Sequence, residues 1–210
     1  SIHISKTTKM PCHSWSLPAL DTCPGSRDSA GQLVDVCQGC YATTGNYRFP
    51  SVRLARENNR HDWVRWGWVD DMVKAIGDAP YFRWFDSGDI YSAKLADKIL
   101  EVIKRTPNCK HWIPTRSHKV AKLKPAISRL KKERNASVRY SADKIGRFNK
   151  AVHGSVVFAG EKPDNSFLCE AYTRGGECGD CRACWDTNIK TIAYPTHGAN
   201  MNKVVRGLAA

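Results

Sequence analysis

The 210-residue sequence predicts an α/β fold built on a largely parallel sheet, and two observations carry that prediction. Short apolar or aromatic runs of strand length alternate with longer stretches whose apolar residues recur every three to four positions. Such alternation argues for parallel strands joined by helical crossovers, wound into an open sheet or a barrel. Polar clusters also follow successive strands, at Asp86-Ser87-Gly88-Asp89, Thr115-Arg116-Ser117 and Ser141-Ala142-Asp143. Strand C-termini are where barrels and doubly wound sheets build their sites.

Taken in order, residues 1–13 are polar and basic and read as an arm. His13 to Ala19 reads as a short strand stopped at Pro18, which has no amide hydrogen for a ladder. A cysteine loop occupies residues 20–45. From Pro50 the pattern is helical, with Leu54, Trp63, Trp66, Trp68, Met72 and Ile76 among its apolar positions. This predicts one or two helices ending near Gly77, with the tryptophans in the core. Tyr81 to Phe85 is an aromatic strand, Ala93 to Lys104 an amphipathic helix, His111 to Pro114 a strand and Val120 to Lys132 a helix. Strands follow at Ala136–Tyr140, Gly154–Ala159 and Thr191–Tyr194. With no internal repeat, low-complexity tract or linker, the chain reads as one domain over residues 1–210, carrying a cysteine-rich C-terminal segment at 165–190.

The formal net charge of +13 favours polyanionic partners such as nucleic acid, because phosphate neutralisation releases condensed counterions. The plainer reading is a solvated basic surface, and the helix from Val120 to Arg134 fits that better than a phosphate groove. No apolar run approaches the roughly 20 residues needed to span a bilayer, and Ser1–Met10 lacks the apolar segment of a signal peptide. A cytoplasmic location is therefore expected. In that reducing compartment the nine cysteines are better explained as metal ligands plus a free core thiol than as disulfides.

Two groups of thiols have metal spacing. Cys37-Gln38-Gly39-Cys40 brings two sulfurs close enough to share one ion or cluster face, and Cys23 offers a third. Cys169 is followed by Cys178-x-x-Cys181-x-x-Cys184, whose two successive two-residue gaps resemble ferredoxin runs more than the paired knuckles of zinc ribbons. An iron–sulfur cluster is favoured there, with zinc as the alternative. Four cysteines can close a cluster, leaving it structural or electron-relaying; alternatively, the C-terminal run lends a fourth ligand to the first group. Cys109 reads as a small buried hydrophobe, and Cys12 has no partner at metal spacing. His197 is a candidate ligand or acid, although a lone histidine is more often a surface residue. Asp86 and Asp89 have a plainer reading as N-caps of the following helix.

The stretches Trp15-Ser16-Leu17-Pro18-Ala19, Thr22-Cys23-Pro24-Gly25, Cys37-Gln38-Gly39-Cys40-Tyr41-Ala42, Asp86-Ser87-Gly88-Asp89-Ile90-Tyr91-Ser92 and Cys178-Gly179-Asp180-Cys181-Arg182-Ala183-Cys184-Trp185 resemble the phage family called gene product 88. That resemblance implies a phage protein working in the cytoplasm of an infected host cell. More distantly, three cysteines after the first strand and Ser87-Gly88-Asp89 after the second are similar to radical S-adenosylmethionine enzymes. This similarity implies a partial (β/α) barrel in which Cys23, Cys37 and Cys40 hold a [4Fe–4S] cluster with one open iron. It further implies that Ser87, Gly88 and Asp89 contact S-adenosylmethionine, and that Arg116, Ser141 and Asp143 line the floor. The activity so implied is cleavage of S-adenosylmethionine to modify a polyanionic substrate. The rival expectation is a non-enzymatic iron–sulfur or zinc protein, with its clusters fully ligated, that binds nucleic acid or transfers electrons.

Overall fold

A computed structural model describes residues 1–6 and 9–210. In chain order the elements are β1 (Ser5–Lys6), β2 (His13–Trp15), α1 (Asp35–Gln38), α2 (Pro50–Asp62), α3 (Trp68–Ile76), β3 (Tyr81–Trp84), α4 (Ala93–Arg105) and β4 (Lys110–Thr115). They continue with α5 (Lys124–Lys131), β5 (Ala136–Ser141), β6 (Gly154–Phe158), β7 (Phe167–Leu168), β8 (Thr191–Pro195) and α6 (Ala199–Ala209). No helix among the described residues is long and apolar enough to cross a membrane.

The strands form one 8-stranded mixed sheet in the order β1-β2-β3-β4-β5-β6-β8-β7. All neighbours are parallel except β1, which runs antiparallel to β2. The predicted parallel sheet is present, and it is open, with β1 and β7 as its edges. From β2 to β6 the strands follow chain order, so every crossover steps the same way. Right-handed crossovers then stack their helices on one face, where α3 packs on α4 and α4 on α5.

Register assigns the side chains to two faces, because parallel neighbours at one level point the same way. Phe82 pairs with His111, and His111 with Ala136, on the helix-covered face. Arg83 pairs with Trp112, Trp112 with Ser137, and Pro114 with Arg139 on the other. On the helix side Trp15, Trp68 and Trp84 are fully buried, the Trp15 ring lying 5.2 Å from Trp68 and 5.9 Å from Trp84 in edge-to-face contact. Leu95, Ile99 and Ile103 of α4 close the same core.

Several expectations change. Trp63 and Trp68 are core, but Trp66 is 93% exposed because it lies in the turn between α2 and α3. The helix expected from Val120 begins only at Lys124, where Pro125 fits a first turn that needs no amide donor. Asp86 and Asp89 do not cap α4; its N-cap position is Ser92, without a side-chain cap bond. The two-residue strands β1 and β7, and helix α6, carry too little periodicity to announce themselves.

Candidate metal centre

The rim formed by the C-terminal ends of β2, β3, β4 and β5 carries the first thiol group. Beyond β3, Ser87 Oγ donates to the Leu17 carbonyl at 2.7 Å. Gly88 has φ +81°, and a Cβ there would stand 2.6 Å from Leu17 Cβ, so only glycine fits. The buried Asp89 carboxylate accepts from Ile90 N at 2.7 Å, Thr115 Oγ1 at 2.7 Å and Arg116 N at 2.8 Å. Burial raises the Asp89 pKa, while these bonds and the Arg116 charge pull it back. The side chains of Ser87 and Asp89 are thus occupied in tying β3 to β2 and β4.

Arg116 turns from this anchor toward the cysteines. Its Nη1 donates to Cys37 Sγ at 3.3 Å and its Nη2 to the Ala142 carbonyl at 3.1 Å. Its Nε stands 3.0 Å from Asp143 Oδ1 without hydrogen-bond alignment, and Lys119 Nζ reaches Asp143 Oδ2 at 2.7 Å. Lys119 also donates to the Gly25 carbonyl at 2.8 Å. Gly25 packs so closely on Arg116 that a Cβ would overlap its carbonyl oxygen. Residues expected to line a floor, Arg116, Asp143 and Ser141, are therefore together; Ser141 and Asp143 also border a cavity of about 150 Å³ with His118 and Tyr140.

Cys23, Cys37 and Cys40 stand within electrostatic reach of one another. Burial pushes the Cys23 thiol up to about 12, with Asp89, Cys40 and Cys37 adding to the rise. Burial likewise raises Cys37, opposed first by Arg116. No three His, Cys, Asp or Glu side chains among the described residues converge tightly enough to hold a single ion. The donors here are three thiols, of which Cys23 and Cys37 are desolvated and gain from nearby positive charge, with a guanidinium donating to the Cys37 sulfur. Gly39 lets α6 approach, since a Cβ there would lie 2.9 Å from Met201 Cα. His197 is exposed just before α6.

The second group lies on the uncovered sheet face. Cys169 N donates to the Ala193 carbonyl at 2.9 Å and Cys178 N to that of Lys9 at 3.0 Å. Cys184 Sγ is 3.1 Å from Tyr194 Oη. Trp185 Nε1 donates to the Phe82 carbonyl at 3.0 Å, fastening the segment to β3. Burial first, then Cys169 and Cys181, raise the Cys178 thiol. Cys181 borders a cavity of about 370 Å³ with Tyr81 and Lys110, the first residues of β3 and β4. Cys181 thus lies toward the starts of β3 and β4, whereas Cys169 directly follows β7 and Cys184 meets Tyr194 near the end of β8.

Two further residues lie near the second group, Arg83, which the sequence did not single out, and Cys12, which it left without an assignment. Arg83 is sandwiched over Trp112 at 4.5 Å and donates to Asp86 Oδ1 at 2.9 Å, Tyr41 Oη at 3.2 Å and Met10 Sδ at 3.3 Å. Its signal was a charge within an aromatic strand. Cys12 is buried with Trp112 and Trp185, and burial raises its pKa to about 11, with Cys178 contributing. Cys109 is buried and free, as expected.

No curated protein and no solved structure matches the chain. A family model described as gene product 88 matches residues 2–187. That match takes in both thiol groups and the rim that joins β2, β3 and β4, and the chain belongs to the gene product 88 family.

Proposed function

We propose that this is an iron–sulfur protein in which Cys23, Cys37 and Cys40 hold a [4Fe–4S] cluster for cleavage of S-adenosylmethionine. The observation that carries the reading is the gathering of three thiols, with Arg116, at the C-terminal rim of parallel strands in chain order. On this reading the open sheet is a partial (β/α) barrel. When bound, such a cluster supplies an open iron to chelate the cofactor and an electron to its sulfonium. Arg116 donates to Cys37 and favours its thiolate; Asp143 and Lys119 hold Arg116 in place. Ser87 and Asp89 act as scaffold, so the cofactor contact expected of Ser87, Gly88 and Asp89 falls to the backbone of that segment.

Anaerobically purified protein, reduced and titrated with S-adenosylmethionine, is expected to change its electron paramagnetic resonance spectrum and release 5′-deoxyadenosine. An unchanged spectrum with no product leaves the second reading, a fully ligated electron-transfer or binding protein. The saturation of Ser87 and Asp89 favours that reading.

The substrate we propose is polyanionic. The segments after β4 and β5, which carry Arg116 and Asp143 of the first site, also present exposed Lys122, Lys124, Lys144, Arg147 and Lys150. Nucleic-acid affinity is expected to fall steeply with salt, and Lys144→Ala with Arg147→Ala to reduce the log–log slope by about 1 per removed phosphate contact. A slope untouched by both changes moves the polyanion surface elsewhere.

A further inference from the structure

Arg139 is 0% exposed. It extends from β5 into the uncovered face of the sheet, beneath the C-terminal cysteine run. Its Nε donates to the Cys184 carbonyl at 3.0 Å, and its Nη2 donates to the carbonyls of Ala183 at 3.0 Å and Asp186 at 2.8 Å. Its Nη1 reaches the carbonyls of Gly154 and Lys190, each at 3.4 Å. Ser137 Oγ, one level back on the same strand, donates to the Cys184 carbonyl at 2.8 Å.

All five acceptors are neutral. Among the described residues no carboxylate forms an ion pair with Arg139. A buried guanidinium without a counter-charge is costly even when its hydrogen bonds are satisfied. Carbonyl dipoles offset part of that cost, but glutamine or a hydrophobe would fill the space without incurring it. Asp186 presents its carbonyl to Arg139 while its Oδ1 accepts from Asn188 N at 2.8 Å. Tyr194 and Cys184 face each other at 3.1 Å, and of these two the thiol loses its proton outright on binding metal.

We infer that Arg139 is the internal counter-charge of an anionic metal–thiolate centre on Cys169, Cys178, Cys181 and Cys184, positioned by its grip on the Ala183, Cys184 and Asp186 carbonyls. The inference rests on the reading of these thiols as an iron–sulfur centre. It makes Arg139 a positioning residue whose charge tunes that centre. Reduction adds negative charge beside a fixed cation, so removing the cation makes reduction harder.

The test uses the full chain carrying Cys37→Ser and Cys40→Ser, which leaves the C-terminal cluster alone, purified anaerobically and compared with Arg139→Lys and Arg139→Gln in the same background. Iron and sulfide content and the midpoint potential are measured. Both variants carry fewer donors than arginine; Arg139→Lys keeps the charge and Arg139→Gln loses it. Expected are a near-parental potential for Arg139→Lys and a fall of at least about 59 mV for Arg139→Gln, tenfold in a one-electron equilibrium. Equal potentials in all three, or equal shifts in both variants, overturn the inference. Should Arg139→Gln fail to hold iron, Arg139→Lys decides alone: a cluster at parental potential supports the counter-charge, and a lost cluster or shifted potential overturns it. Absence of iron from the parental background overturns the iron–sulfur reading itself and is told apart by that control.

Discussion

His111 illustrates how single side chains set the conditions under which this fold persists. It is completely buried on β4, where Nδ1 accepts from Trp84 Nε1 at 3.0 Å and Nε2 lies 2.8 Å from Thr106 Oγ1. Burial lowers its pKa from 6.5 to about 3, so the folded protein keeps it neutral while the unfolded chain takes up a proton below pH 6.5. The unfolded state then binds more protons, and stability falls as pH drops from 6.5 toward 3. The slope from this one group approaches about 1.4 kcal/mol per pH unit. Urea unfolding at about pH 7, 6 and 5 should show that loss, to which the half-buried His118 and His153 add, and His111→Gln should reduce its slope while lowering stability at neutral pH. An unchanged slope in the variant removes His111 from the account. Nothing in His111-Trp112-Ile113 distinguishes this histidine from a surface one, because its environment is made by Trp84 and Thr106.

At the scale of elements, the rim depends on one carboxylate. Asp89 ties the segment after β3 to the end of β4 through Thr115 Oγ1 and Arg116 N, and Arg116 continues to Cys37. Asp89→Ala leaves three buried donors unmatched and is expected to destabilise the fold by about 3 kcal/mol. It should also loosen cluster binding at Cys23, Cys37 and Cys40; thermal melts and iron content read the two effects separately. A variant with normal stability would mean that the rim is held by other bonds. Strands β3 to β6 and helix α4 were readable from periodicity, since Phe82 and Trp84, or Leu95, Ile99 and Ile103, repeat at the interval their element requires. Helix α5 was misjudged at its start, and α6 was missed, because one buried residue, Met201, gives no period to detect.

For the molecule as a whole, the disposition of the cysteines is the main consequence of folding. With the first group gathered around Arg116 and the second fastened over Arg139 and Phe82, each is expected to bind independently. Cys37→Ser with Cys40→Ser should remove about half of the iron and leave the C-terminal cluster's spectrum intact; loss of all iron would mean one shared centre. The chain alone determined the α/β class, the alternation of its main strands and helices, the rim position of the polar segments and the two thiol groupings, because these follow from local period and spacing. Only the tertiary structure decided that the sheet stays open, that Asp89 is a tie rather than a cap, and that Arg83, Cys12 and Arg139 lie near or beneath the cysteines. Those facts depend on which residues distant in sequence meet across the sheet, and strand pairing, register and burial settle that.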